Sequence, residues 1–246
     1  MRFSTDALVI KETNVGERDR LVTLMTRNMG VIRAYAAGAK SIKSKKAAAT
    51  GLLTYSNFLI EKKGENYRIN EASVINTFFS SGTDIVTLSI SHYFCELCLV
   101  LGPHDSSSSE EFLRLILNSL SFLIKNKKSP QLIKAITELR IAAISGYCPN
   151  LIACEGCGKF EDEKMYFKFK NGMLLCDDCV TDDDLIPIDL TIIKAMRHIV
   201  FAKFERLYSF VIPDDAANIL SQITENYIKI QTEHYFKTLD FLNSIK

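Results

Sequence analysis

The chain has 246 residues, with 30 Lys/Arg against 29 Asp/Glu and 47% hydrophobic residues. That composition excludes a disordered polyelectrolyte and leaves room for one large core or for two or three modules. No run of about eighteen apolar residues occurs, which excludes a spanning helix. The near-neutral total hides an asymmetry. Residues 1–80 hold thirteen Lys/Arg against seven Asp/Glu, and the remainder seventeen against twenty-two. A basic N-terminal third predicts a polyanion partner confined to one module. Met1-Arg-Phe-Ser-Thr-Asp carries no apolar signal segment, so a cytoplasmic location is expected. Seven cysteines in that reducing setting fit metal binding better than disulfides.

Residues 3 to 80 read as strands. Phe3 to Ile10 contains the apolar run Ala7-Leu-Val-Ile10. Arg20 to Met25 alternates in part, and Gly30 to Gly38 follows a turn at Asn28-Met29-Gly30. Leu52 to Glu61 and Tyr67 to Phe79 are separated by the hairpin loop Lys63-Gly64-Glu65-Asn66. Five short strands without a long helix predict a small closed barrel of the OB type, with an open antiparallel sheet as the alternative.

From residue 82 the period becomes helical. Phe94, Leu97, Cys98 and Leu101 share one face, and Gly102-Pro103 ends the segment. A second helix is expected from about Glu110 to Lys125, with a capping box from Ser107 to Glu110 or from Ser108 to Glu111. Ser129-Pro130 is an N-cap followed by an N1 proline, opening a third helix that stops at Gly146. Asp182, Asp183 and Asp184 read as a solvated acidic linker. Helices are expected over about Leu190–Phe204 and Asp214–Ile230, with a short last one in Tyr235–Ile245.

Cys154-Glu-Gly-Cys157 and, eighteen residues on, Cys176-Asp-Asp-Cys179 have the spacing of a tetrahedral zinc site. Between them, Lys164 to Phe169 alternates and Asn171-Gly172 is a two-residue hairpin signal, with Met173-Leu-Leu175 returning to the second pair. Gly158 suits a metal knuckle that needs positive φ. This predicts one structural zinc on Cys154, Cys157, Cys176 and Cys179, in a ribbon-like insert. Four thiolates leave no open position for catalytic water. The alternative is four buried or disulfide-paired cysteines. The fold class expected is therefore α+β and multidomain. It comprises an OB-fold over 1–80, a helical domain over 81–147 and 181–246, and a zinc ribbon over 148–180.

The basic stretch is Gly38-Ala-Lys40-Ser-Ile-Lys43-Ser-Lys45-Lys46, read as a flexible cationic loop between two barrel strands. Lys40, Lys43, Lys45 and Lys46 suit phosphate contact, and Arg18, Arg20 and Arg33 are the next cationic candidates. The bland alternative is a solvated connection. Tyr35, Tyr55, Phe58 and Tyr67 could stack on bases, but their strand spacing fits core better. No catalytic constellation stands out. Gly38-Ala-Lys40-Ser41 lacks phosphate-loop spacing, the four histidines are scattered, and neither H-E-x-x-H nor G-x-S-x-G occurs. Cys95 and Cys98 fall on an apolar helical face and read as buried thiols, and Cys148 as structural. The chain is expected not to be an enzyme.

Taken together, these segments resemble the RecO family of bacterial DNA repair and recombination proteins over nearly the whole length. The N-terminal match is Ala7-Leu-Val-Ile10, Gly16-Glu-Arg-Asp-Arg-Leu-Val-Thr-Leu24, Gly30, and Gly38-Ala-Lys40 with Ser44 after it. The more specific C-terminal match is Glu138-Leu-Arg140, Gly146-Tyr-Cys-Pro149-Asn-Leu151, Cys154-x-x-Cys157-Gly158, Gly172 to Cys179 and Lys237-Thr-Leu-Asp-Phe-Leu242. Some members have lost zinc cysteines, whereas this chain keeps four. The resemblance implies binding of single- and double-stranded DNA and annealing of complementary strands without ATP. It implies RecR and the tail of the single-strand-binding protein as partners, and indirect help to RecA, in the cytoplasm at the nucleoid. Two other classes stay open from the residues alone: a zinc-ribbon transcription or translation factor that binds RNA, and a metal-dependent nuclease.

Overall fold

The computed structural model describes residues 1–41, 43–79, 82–181, 185 and 187–245; the acidic residues Asp182, Asp183 and Asp184 lie outside them. The N-terminal strands are β1 (Arg2–Val15), β2 (Asp19–Thr26), β3 (Gly30–Ala36), β4 (Thr54–Lys63) and β5 (Asn66–Thr77). They close into a barrel in the order β1-β2-β3-β5-β4, with β4 returning to β1. This is the OB-fold barrel and not the open sheet. Alternation decides which side chains fill it. Ala7, Val9, Val22, Leu24, Ile32, Ala34, Phe58, Ile60 and Ile69 point inward as one buried cluster. The small alanines at positions 34 and 36 let so narrow a barrel accept Phe58. β1 runs five residues past Ile10, because a bulge between Val9 and Lys11 keeps it paired with β2.

The stretch expected to be a flexible loop contains a helix, α1 (Lys45–Ala49). Ser44 caps it, its hydroxyl accepting from the Lys46 N–H at 3.3 Å, and Lys and Ala are good helix formers.

Helices α2 (Ile85–Leu101), α3 (Ser109–Ile124) and α4 (Pro130–Ile144) follow. The cap of α4 is as expected, with Ser129 accepting from Leu132 N–H and Pro130 at N1. Neither expected capping box opens α3. Ser108 is the N-cap but makes no side-chain cap bond, while Ser107 donates to Asp105 instead. The ribbon consists of β6 (Asn150–Cys154), β7 (Met165–Lys168), β8 (Met173–Cys176) and β9 (Pro187–Ile188) in the order β6-β8-β7-β9. Its sheet therefore takes a strand from beyond the expected limit at residue 180. The β7–β8 loop holds Phe169 to Gly172, four residues rather than two. Phe169 leaves the strand to pack edge-on against Phe167 at 5.3 Å. Helices α5 (Leu190–Phe201), α6 (Asp214–Thr232) and α7 (Lys237–Ser244) complete the chain.

The compact units cut the chain elsewhere than the three expected domains. One is Met1–Lys127 with Phe236–Lys246, the other Lys128–Tyr235. The last barrel strand ends at Thr77, but the unit that holds it continues to Lys127. Helices expected to form one domain over 81–147 and 181–246 are divided: α2, α3 and α7 belong with the barrel, α4 to α6 with the ribbon. The reason is close approach. Val31 N–H donates to Pro103 O at 2.7 Å, and a Cβ on Gly30 would lie 2.0 Å from that oxygen. Tyr93 of α2 meets Phe236 edge-on at 5.6 Å. The Glu96 carboxylate accepts from the first free N–H groups of α7, at Lys237 and Thr238.

In the second unit α4 and α6 enclose an ion network. Lys134, 1% exposed, meets Glu138 at 2.9 Å and Glu225 at 3.0 Å. Thr224 donates to the other Glu138 oxygen at 2.6 Å.

Two outcomes follow from these contacts. Gly30→Ala adds a clash to a residue at φ 69 and should destabilise the protein by at least about 2 kcal/mol, read as a lowered urea midpoint. Lys134→Ala leaves two carboxylates facing each other without their cation and should cost about 3–5 kcal/mol. Lys134→Ala with Glu138→Gln should cost less than Lys134→Ala alone in the same thermal melt.

Candidate nucleic-acid interface and metal centre

Four sulfurs converge at one end of the ribbon. Cys154 ends β6 and Cys176 ends β8, and these strands are parallel neighbours with Cys154 opposite Leu174. Each pair is completed by a tight turn: Gly158 N–H donates to Cys154 O at 2.9 Å, and Cys179 N–H to Cys176 O at 3.1 Å. Gly158 has the expected positive φ, 75°. The Sγ atoms of Cys154, Cys157, Cys176 and Cys179 all lie within 4.8 Å of one another, Cys157 and Cys176 at 3.6 Å. Four sulfurs at about 2.3 Å from one tetrahedral ion would stand about 3.8 Å apart, so the quartet can hold a metal. Gly156 is required here for space. A Cβ on it would lie 2.9 Å from Cys179 Sγ.

The electrostatics favour anionic sulfur. Burial alone would raise the Cys154 thiol, but N–H groups of Cys176, Cys157 and Gly156 point at it and bring it down to about 6. The other sulfurs face that one. Cys179 is pushed up to about 12 by Cys176, Cys157 and Cys154, and Cys176 is raised by burial and the same neighbours. Four protons cannot leave so small a volume unless a cation replaces them. Asp162 and Asp178 lie beside Cys176, but Lys159 bridges the two carboxylates at 2.9 and 3.2 Å. Cys95 and Cys98 are buried on α2, as expected, and burial raises both thiols, Cys95 to about 12. Cys148, expected to be structural, is exposed.

The cationic candidates separate into outward and inward side chains. Arg18 is exposed in the β1–β2 turn, and Arg33 is exposed on the outer face of β3. Lys43 and Lys45 are exposed, Lys40 and Lys46 half-buried. Lys40 is tied to the β1–β2 turn, its N–H donating to Arg18 O at 2.9 Å and its Nζ to Gly16 O at 3.3 Å. Arg20 is turned inward. Its Nη1 donates to Ala47 O at 3.0 Å and Thr50 Oγ1 at 3.3 Å and faces Glu12 at 3.6 Å. It closes the end of α1 and is not free for phosphate. Phe58 lies in the core, and Tyr55 accepts from Arg27 at 3.2 Å. Tyr35 is half-buried on the outer surface, whereas Tyr67, opposite the inward Ala34, packs against the barrel core at its mouth, as its strand spacing suggested.

Sequence reasoning missed Arg68. The parallel pairing of β3 with β5 sets Tyr35 opposite Arg68 and Ala34 opposite Tyr67. An open groove of ≈ 690 Å³ follows, lined among others by Arg33, Tyr35, Lys63, Tyr67 and Arg68. Asp19 orders its edge. It accepts from Gly38 N–H at 2.7 Å and from Tyr35 Oη. The Gly38 bond first, then that of Tyr35, holds its carboxyl below the usual range, and Lys46 and Arg68 add to this. The same bond raises the Tyr35 hydroxyl. Lys46 and Arg68 thus act on one carboxylate, and the groove also holds Glu61 and Glu65 beside its cations. Nothing in the local pattern of β5 announces this; only the strand pairing does.

Comparison with known proteins agrees with this pairing of a basic barrel and a four-cysteine ribbon. Residues 1–78 match the family model "Recombination protein O N terminal" and residues 82–240 the model "Recombination protein O C terminal". The chain belongs to the recombination protein O (RecO) family. It is similar to the DNA repair protein RecO of Acetivibrio thermocellus, at 32% identity over 99% of this chain and 97% of that one. It is also similar to the DNA repair protein RecO of Caldicellulosiruptor bescii, at 30% identity over 99% of each. The boundary between the two family models falls where the barrel ends, although α2 and α3 pack with the barrel.

The metal site makes a direct test. Elemental analysis of the purified protein should find one metal ion per chain. Cys176→Ser should lose it and unfold the ribbon, because binding and local folding are coupled. Gly156→Ala should weaken metal retention against a chelator while keeping all four sulfurs.

Proposed function

We propose that the chain is a DNA-binding recombination mediator and not an enzyme. It binds single- and double-stranded DNA on the open face of its barrel, anneals complementary strands without a nucleotide, and helps load RecA onto DNA coated with single-strand-binding protein, together with RecR. One observation carries the reading: Arg33, Tyr35, Tyr67 and Arg68 share the groove over β3 and β5. The outer side of β2–β3 and the loops beside it are where OB-folds take oligonucleotides. Cations there would meet phosphates while Tyr35 stacks on a base. Arg18, Lys40, Lys43, Lys45 and Lys46 would extend the phosphate track. The four cysteines would hold one structural zinc, whose closed thiolate shell shapes the ribbon and supplies no reactive water. The tail of the single-strand-binding protein and RecR would be met as protein partners. Among the described residues no helix is long and apolar enough to cross a membrane, which agrees with a place in the cytoplasm, at the nucleoid.

The test is a binding titration across several salt concentrations. Each phosphate contact contributes about 0.7 to the log–log slope on single strands and about 0.9 on duplex. Arg33→Ala with Arg68→Ala should therefore flatten the slope by about 1.4 and about 1.8. Affinity should fall alike for every sequence, since phosphate contacts carry no base information. A slope equal to that of the unaltered protein would remove this face from the interface. Replacing Lys40, Lys43, Lys45 and Lys46 by Ala then measures the share of the α1 side.

A further inference from the structure

A second cavity in the barrel unit is not used by that face. It measures ≈ 540 Å³, within the range of about 300–1,000 Å³ found for ligand pockets. Helix α1, the corner before β4, the end of β5 and helix α2 enclose it. The walls are apolar, from Ala47, Ala48, Leu52, Leu53, Phe79 and Leu88. Two polar groups on its lining have hydrogen-bonding capacity left over, while the Arg20 Nε beside them is closed off from solvent and has no acceptor. Among the described residues the side chains of Thr77 and His92 make no hydrogen bond. Burial lowers the His92 pKa, which favours the neutral ring with one donor and one acceptor. Glu12, also at the rim, is already engaged by Leu52 N–H at 3.2 Å and by Arg20. One wall is strained: Leu53, 1% exposed, sits at φ 59. Such backbone is kept where the surroundings over-determine it, and it clusters at ligand sites.

Apolar faces with unsatisfied donors and acceptors at the rim are the complement of a flat heterocycle with a hydrogen-bonding edge. A partner's aliphatic side chain would fill the walls but cut the exposed Thr77 and half-buried His92 off from water without pairing them. Helix α1 suggests where the heterocycle comes from. Its five residues span about 7.5 Å, with Lys45 and Lys46 at the start and Ala47 and Ala48 on the cavity. That is the scale of a single nucleotide. We propose that this cavity receives one unpaired base of a bound strand, whose phosphate rests on Lys45 and Lys46. The inference rests on the DNA-binding reading above.

Ala48→Phe fills the cavity and Phe79→Ala removes a wall; both positions are exposed, so neither change opens the core. Each variant is titrated with an oligothymidylate and with an abasic strand of equal length, at fixed and at varied salt. Both should lose on the order of tenfold in affinity for the oligothymidylate, the worth of one stacked base. Affinity for the abasic strand and the salt slope should stay as in the unaltered protein. An equal loss on both strands, or no loss in either variant, overturns the proposal. If the unaltered protein binds neither strand, the DNA-binding reading itself fails.

Discussion

Two residue pairs, Ala34 with Tyr67 and Tyr35 with Arg68, close the barrel. The working surfaces of the first unit depend on this short parallel seam. On the outer side it sets Arg33 and Tyr35 of β3 beside Arg68 of β5, with Tyr67 turned to the core. Beyond Arg68 β5 has no further pairing with β3 and continues only with β4, out to Thr77. Helix α1 lies against that stretch, covering an edge that would otherwise offer free backbone groups to another chain. The cavity beside α1 and the groove over β3 are thus consequences of where the seam stops. A longer β3–β5 pairing would take the edge of β5 that α1 now covers.

A second constraint decides which cations are available. Carbonyls at helix ends and in the ribbon lack partners of their own, and half-buried arginines supply them. Arg20 takes Ala47 O at the end of α1, and Arg140 takes Ile199 O and Val200 O at the end of α5. Arg197 takes Leu151 O at 2.7 Å, Ile152 O at 3.1 Å and Phe160 O at 2.6 Å in the ribbon. Arg20 and Arg33 are equal in a count of charge, yet one is a structural clamp and the other faces solvent. The excess of Lys/Arg over residues 1–80 locates the basic module and does not identify its contacts.

This sets the limit of what the chain's residues disclose by themselves. The cysteine quartet was legible because its spacing is local and the chemistry of four thiolates is specific. The five strands were legible because narrow barrels need strict alternation, seen at Thr54 to Glu61 in β4. The Ser129-Pro130 start of α4 is a local cap and appears as expected. The α1 helix was hidden by the lysines themselves, since Lys43 to Lys46 read equally well as solvated loop and as a helix start. Arg68 was hidden because its place depends on a partner strand more than thirty residues away. The packing of α2 and α3 onto the barrel turns on Gly30 and Gly102, whose missing side chains admit Pro103 O and Val31. A glycine in sequence marks a turn, and nothing local says that another element approaches it.

The ribbon shows how local chemistry and distant packing divide one task. Its knuckle end is set by four sulfurs, a short-range arrangement that can hold one ion. Its turn end is held from α6. Gln231 Nε2 donates to Phe169 O at 2.7 Å and Lys170 O at 3.1 Å. Tyr227 packs on Phe167 at 5.3 Å, and a Cβ on Gly172 would lie 2.6 Å from its hydroxyl. The two ends fail by different routes. Without an ion the sulfurs would keep their protons and the knuckles would lose the link between them. Contacts to α5 and α6 remain, because they rest on carbonyls and aromatic packing that need no metal. The four-residue turn that replaced the expected two-residue hairpin belongs to this second attachment. Its extra length presents Phe169 O and Lys170 O to Gln231, so the departure from the simplest turn joins the ribbon to its helices.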